Sequence, residues 1–223
     1  MKAAPVTIAV DAGKVSGLLV APADPRALYV LAHGAGAGMA HAFMEAAAQG
    51  LAERGIATLR YQFPYMERGS KRPDTPKVAH AAVRAAVAEA ARRAPGIPLY
   101  AGGKSFGGRM TSQAQAASAL PGVRGLAFFG FPLHPPAQPS SARAEHLFQV
   151  QIPMLFLQGT RDTFAELALI EPLVRRLGER ASLTLLAEAD HSFHVAARTG
   201  RTDAQVRAEM LQAFAHWTDA LIR

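Results

Sequence analysis

Eight short runs rich in Val, Leu, Ile, Tyr and Phe recur along this chain, separated by alanine-rich stretches long enough to be helices. They are VTIAV (6–10), SGLLVAP (16–22), ALYVLAH (27–33), IATLRYQF (56–63), PLYAGG (98–103), VRGLAFFGF (123–131), PMLFLQG (153–159) and SLTLLAE (182–188). Several are apolar on both alternating faces, as strands are when helices cover both sides of their sheet. Helices are expected near 41–53, 76–93, 107–119, 165–177 and 203–222, the last opening at Thr202-Asp203 with acceptor side chains suited to capping. A β lead-in followed by repeated βα units predicts an α/β three-layer architecture, with a mostly parallel sheet of about seven or eight strands and right-handed crossovers.

With 223 residues, 50% hydrophobic and 18% charged, the chain can bury one full core. No repeat or composition break marks a second unit, so 1–223 reads as a single domain. The opening MKAAPVTIAVDAGKVSG soon meets Asp11 and Lys14. It reads as neither membrane span nor signal peptide, and a cytoplasmic protein is expected, without a membrane partner. The net charge of +7 comes from 24 basic and 17 acidic side chains scattered singly or in pairs such as Arg92-Arg93. No basic stripe interleaved with aromatics accompanies it, so no nucleic-acid partner is expected. The absence of cysteine removes thiolate metal sites and a cysteine nucleophile.

The segment AGGKSFGG (101–108) fits two templates. A phosphate-binding loop of form G-x-x-x-x-G-K-[ST] needs a glycine five positions before Gly103, where Pro98 stands, and residues 98–102 are needed for the strand itself. The other template, G-x-S-x-G, is matched by Gly103-Lys104-Ser105-Phe106-Gly107 with a strand before it and a helix after it. Such an elbow strains its serine between strand and helix, so glycines must flank it. Its hydroxyl then sits at a helix N-terminus, where backbone N–H groups can stabilise an oxyanion.

A hydroxyl at neutral pH needs a base, and the base needs an orienting acid. PMLFLQG runs into Thr160-Arg161-Asp162, and SLTLLAEADHSFH carries His191 into a loop at the same sheet edge, in the order serine, acid, histidine. His191 is preferred to His194 because it lies nearer the strand end, and Asp190 is assigned to shaping the turn. The loop after ALYVLAH, His33-Gly34-Ala35-Gly36, supplies small residues for close backbone approach. The oxyanion donors are assigned to the N–H groups of Phe106 and Ala35, with Gly36 as substitute for Ala35. A dinucleotide-binding reading of HGAGAG fails in both registers, because Met39 or His41 replaces the third glycine. His33 reads as a loop-shaping residue.

LAHGAGAGM, LRYQFPYMERG, AGGKSFGGRM, GFPLHPP, LQGTRD and ADHSF together resemble the α/β-hydrolase superfamily over nearly the whole chain. More narrowly, they are similar to bacterial relatives of the hydrolase-like domain of testis-expressed protein thirty and the third regulatory subunit of the NSL complex. The resemblance implies a triad of Ser105, Asp162 and His191, no cofactor and no metal. The resemblance itself supplies no substrate; from the elbow and its base, the expectation is a serine hydrolase cleaving small to medium carboxylic esters or thioesters through an acyl-enzyme. A non-catalytic interaction module, or an acyltransferase or perhydrolase on the same residues, are the alternatives. Dienelactone hydrolases are similar in size and lidless shape but typically use cysteine, which this chain lacks.

The segment 131–150 is too short for a large cap, and its prolines favour an extended loop over 131–143. The substrate is expected to meet Met39, Phe63, Tyr65, Phe131, His134 and Phe193, with Phe106 beside the elbow. Lys104 and Arg109 flank the elbow and either favour an anionic substrate or pair with an acid such as Glu67.

Overall fold

All eight apolar runs form strands of one sheet in the computed structural model, which describes residues 1–11 and 13–222. The strands are β1 (Ala4–Val10), β2 (Gly13–Val20), β3 (Ala27–Ala32), β4 (Ile56–Tyr61), β5 (Leu99–Lys104), β6 (Val123–Phe129), β7 (Met154–Gly159) and β8 (Ala181–Leu186). Their order is β1-β2-β4-β3-β5-β6-β7-β8. β2 runs antiparallel to both β1 and β4, and every pairing from β4 across to β8 is parallel. The parallel part therefore places the C-terminal ends of β3, β5, β6, β7 and β8 along one edge, where ligand sites of open α/β sheets lie.

Helices α1 (Ala42–Ala52), α3 (Pro76–Arg93), α4 (Phe106–Ala117), α5 (Leu167–Leu177) and α6 (Asp203–Ile222) follow the expected stretches, and a single turn, α2 (Pro64–Glu67), is added where Pro64 takes the first helical position. Successive strand residues enter opposite layers. Leu28 and Val30 of β3, with Phe128 of β6 and Phe156 of β7, pack with α3, α4 and α5; Tyr29 and Leu31, with Phe129 and Leu157, pack with α1 and α6. This alternation produces two apolar layers, one on each face of the sheet.

Strand ends are shorter than the apolar runs. β6 stops at Phe129 because Gly130 takes φ +69°, and β8 stops at Leu186, two residues before Glu188 at φ +61°. The proline-rich loop gives way to a 3₁₀ segment at Ala142–Gln149, and among the described residues no cap domain covers the sheet edge. At α6, Thr202 and Gln205 form a reciprocal cap: Gln205 N–H donates to the Thr202 hydroxyl, and Thr202 N–H donates to Gln205 Oε1. Among the described residues no helix is long and apolar enough to cross a membrane.

Candidate active site

The glycines around Ser105 are required by close backbone packing. A Cβ on Gly102 (φ +151°) or Gly103 (φ +156°) would overlap the carbonyl oxygen of Ala127 or Ala32 in the adjacent strands, and one on Gly107 would lie 2.5 Å from the His33 oxygen. The turn they permit leaves Ser105 at φ 49°, ψ −114°, strained for a residue with a side chain. It also directs the hydroxyl to His191, whose Nε2 lies 2.8 Å from Ser105 Oγ. His191 Nδ1 lies 2.7 Å from Asp162 Oδ2, so serine, histidine and aspartate from three separate strand ends form one hydrogen-bonded chain.

Asp162 is buried, and the protein supplies its remaining partners. Oδ1 accepts the Phe164 N–H at 2.8 Å, and Oδ2 also accepts Gln158 Nε2–H at 2.5 Å. Gln158 Oε1 in turn accepts the Phe131 N–H, which fixes the amide orientation. With its carboxylate held, Asp162 accepts the Nδ1–H of His191 and leaves Nε2 facing the serine. The pKa of His191 is lowered, mainly by burial; the hydrogen bond to Asp162 opposes this, and the Lys104 ammonium adds to it. Phe164 stacks on the imidazole at 4.2 Å between ring centres.

Lys104 points its ammonium beneath the histidine loop, donating to the His191 carbonyl oxygen, 5.0 Å from the Phe193 ring centre and 6.0 Å from that of Phe43. Burial pulls its pKa down to about 8, against the pull of Asp162 and Asp190. Gly130 makes the room: a Cβ there would sit 3.0 Å from Lys104 Nζ. Glu67, the expected acid partner, instead accepts from the backbone and hydroxyl of Ser16. Asp190 shapes the turn as expected, its Oδ1 accepting the N–H groups of Ser192 and His194.

His33 is buried and engaged at both ring nitrogens: Nδ1–H donates to the Gly34 oxygen at 2.7 Å, and Nε2 accepts the Phe63 N–H at 3.0 Å. Burial lowers its pKa to about 4, so the neutral tautomer this pattern requires is the stable one. The Tyr65 hydroxyl, kept protonated by burial that raises its pKa to about 12, donates to the Ala35 oxygen at 2.9 Å. Because C=O and N–H oppose each other across a trans peptide, fixing the Gly34 and Ala35 oxygens turns the N–H groups of Ala35 and Gly36 away from these buried rings. Phe106 begins α4, and as its first residue has no carbonyl one turn back within the helix.

Two cavities meet at Ser105. One, of about 360 Å³, is lined by Gly34–Ala37, His41, Phe43, Met44, Lys104, His191 and Phe164; the other, of about 350 Å³, lies over α4. Both include Ala35, Ser105 and Phe164. Most of the expected substrate contacts lie elsewhere. Phe63, Tyr65 and Phe131 are fully buried packing residues, and His134 is buried with Nδ1 bonded to the Pro135 oxygen and Nε2 2.9 Å from Glu166. Met39 lines neither cavity and is held at its backbone by Gln62 and Arg60. Phe193 stacks against Phe43 at 5.7 Å, and Phe43 takes the cavity wall in its place. Phe43, Met44 and Phe164 were not anticipated. Gln158 could have been found as the polar residue inside an otherwise apolar strand.

Residues 25–219 match the model of the alpha/beta hydrolase domain family, and the chain belongs to it. Solved structures share the fold at low identity. A serine hydrolase without a lid from Xanthomonas campestris is 20% identical, with 97% of this chain and 95% of that one covered and a TM-score of 0.76. A dienelactone hydrolase from Anabaena variabilis is 19% identical over 96% and 97%, with a TM-score of 0.77. The esterase domain of a Rhodothermus marinus protein is 16% identical over the full length of both chains, with a TM-score of 0.73.

Proposed function

We propose that this protein is a serine hydrolase that cleaves small to medium carboxylic esters or thioesters through an acyl-enzyme. The observation that carries the reading is the unbroken chain from Ser105 Oγ through His191 to the buried Asp162, set on a strained elbow. His191 Nε2 takes the serine proton as Oγ attacks the carbonyl carbon. The tetrahedral oxyanion is met by the N–H groups of Phe106 and Ala35, with Gly36 as the alternative to Ala35. His191 then protonates the leaving group, and a water deprotonated by the same nitrogen releases the acid. Asp162 holds the tautomer and stabilises the imidazolium without being protonated. The dienelactone and ester specificities of the structural neighbours bear on this chain only as a class of carbonyl substrates. A narrower membership in the testis-expressed protein thirty group is part of this proposal and rests only on the sequence motifs GFPLHPP and FPYMERG, whose Phe131, Leu133, His134, Phe63 and Tyr65 are buried here.

The test is labelling with a fluorophosphonate, mapped by mass spectrometry, alongside a panel of p-nitrophenyl esters from acetate to octanoate, spanning what a cavity of this size accepts. Covalent label on Ser105 with ester turnover supports the reading; label elsewhere, or none, rejects it.

A pH prediction follows from the groups facing His191, namely Lys104, Asp162 and Asp190. The base works unprotonated, so kcat/KM rises with pH through the histidine pKa, and because that pKa is lowered the rise should lie below the ordinary histidine range. Lys104→Met removes a positive charge that disfavours imidazolium, so the acid limb should move to higher pH. Rate profiles between about pH 4 and 9 check this, spanning the ordinary histidine value on both sides; an unmoved limb would show that the ammonium has no influence on the base.

A further inference from the structure

The cavity over α4 carries two positive charges without an acidic partner. Arg109 and Arg143 both line it, and among the described residues neither guanidinium forms an ion pair or a side-chain hydrogen bond. Arg109 Nε is buried and unpartnered, and the Arg109 guanidinium carbon lies 5.9 Å from the Phe106 ring centre. The one carboxylate on the cavity wall, Asp74, is already engaged, accepting from the Tyr65 N–H and from Arg68, both at 2.7 Å.

Among the described residues no carboxylate pairs with either guanidinium. Burial and the Arg143 charge both press the Arg109 pKa downward, and His146, whose pKa burial and Arg109 lower to about 4, is neutral. Arg109 also stands in the first turn of α4, where the helix dipole disfavours a cation. A half-buried guanidinium beside a second one, set against a helix N-terminus, is costly unless an anion completes it. Ser105 opens onto the same space, so the missing anion can be part of the molecule that acylates it.

Resting on the esterase reading, we infer that this cavity is a subsite for an anionic oxygen group, a carboxylate or a phosphate, carried by the ester substrate away from its scissile bond. Planar guanidinium donors match such groups with paired charge-assisted hydrogen bonds. The opposite cavity, walled by Phe43 and Met44 and with the Lys104 ammonium already turned to the His191 carbonyl oxygen, takes the other half.

Two matched substrate pairs test this. One carries the charge on the acyl half, p-nitrophenyl hemiglutarate against its methyl ester; the other carries it on the alcohol half, 3-(butyryloxy)benzoate against its methyl ester. The expected result is a preference of about tenfold or more in kcat/KM for the charged member of at least one pair, weakening with added salt. Arg109→Gln and Arg143→Gln should each erase most of that preference, while Arg175→Gln, an exposed charge control on α5, preserves it. Arg109→Lys, checked by thermal melting, guards against a folding defect at the more buried position. A charged substrate handled no better than its neutral partner in both pairs overturns the subsite.

Calorimetric titration of Ser105→Ala with monomethyl glutarate and with inorganic phosphate reads the subsite without turnover. Binding of either probe that is lost in the Arg109→Gln background supports it and tells carboxylate from phosphate, and binding of neither overturns it. Absence of both ester cleavage and Ser105 labelling would remove the esterase reading alone, leaving the titration to decide the anion site.

Discussion

Ser105→Ala is expected to lower kcat on an activated ester by about four to six orders of magnitude and to abolish fluorophosphonate labelling, with KM little changed. The size follows from the arrangement. In the proposed mechanism Oγ is the atom that bonds the acyl carbon, and among the described residues His191 Nε2 has no hydrogen-bond partner besides Ser105 Oγ, 2.8 Å away. His191→Ala should cost a similar factor and the double variant little more, because each residue is useless without the other. Asp162→Ala should cost about four orders, less than the serine, since the imidazole survives without its orienting acid.

Stability offers an independent reading of the same position. Ser105 sits at φ 49°, where a Cβ is strained by about 1–3 kcal/mol. Alanine keeps that strain and glycine relieves it. Ser105→Gly should therefore melt higher than wild type while losing the same activity, the opposite movement of stability and function marking a site where strain is held for chemistry. A glycine variant that melts lower would show that no strain is stored at this turn, and one that keeps ester turnover would remove Ser105 from the centre of the mechanism.

The parts of the molecule legible in the sequence are those fixed by backbone requirements. Eight apolar runs had few ways to be covered other than by helices on both faces, and the glycines of AGGKSFGG have use together only where chains approach closely. The loops bearing Asp162 and His191 were placed because strand ends in a parallel sheet share an edge, so two short loops distant in sequence had to emerge near the elbow. The cavity walls were not legible. Phe63, Tyr65 and Phe131 have the composition of a substrate pocket, yet each points into a packed layer, and whether an aromatic faces the core or the cavity depends on the end of an element, which periodicity leaves loose by a few residues. Phe43 and Met44 reach the site from the start of α1, and Arg143 from the first turn of a 3₁₀ segment that begins at Ala142, just inside the stretch 131–143 expected to be an extended loop. Lys104 had an acid proposed for it on charge alone, whereas burial among two aromatic rings and a carbonyl oxygen satisfies it differently.

Gly102→Ala should be the most damaging single methyl that can be added to this chain. The new Cβ would overlap the Ala127 carbonyl oxygen, lie 2.7 Å from the Tyr29 hydroxyl that bonds that oxygen, and hold alanine at φ +151°. The obstacle is backbone in the centre of the sheet, where Gly102 pairs with Leu31 on one side and Ala127 on the other, so neither strand can withdraw without losing its ladder. Losses above about 4 kcal/mol are expected from such overlap, against a total stability on the order of 5–15 kcal/mol, so the variant should be recovered mainly as insoluble protein or melt at least about 10 °C lower. Gly122→Ala separates the two causes. That glycine also has a positive φ, +75°, but open space around its Cβ position, so only the conformational cost of about 1 kcal/mol should appear. If melting curves place the two variants together, strand contact at the elbow contributes nothing beyond backbone preference. If Gly102→Ala falls far below Gly122→Ala, the close approach of β5 and β6 is what holds the serine turn in place, and the strain at Ser105 is carried by the sheet beneath it.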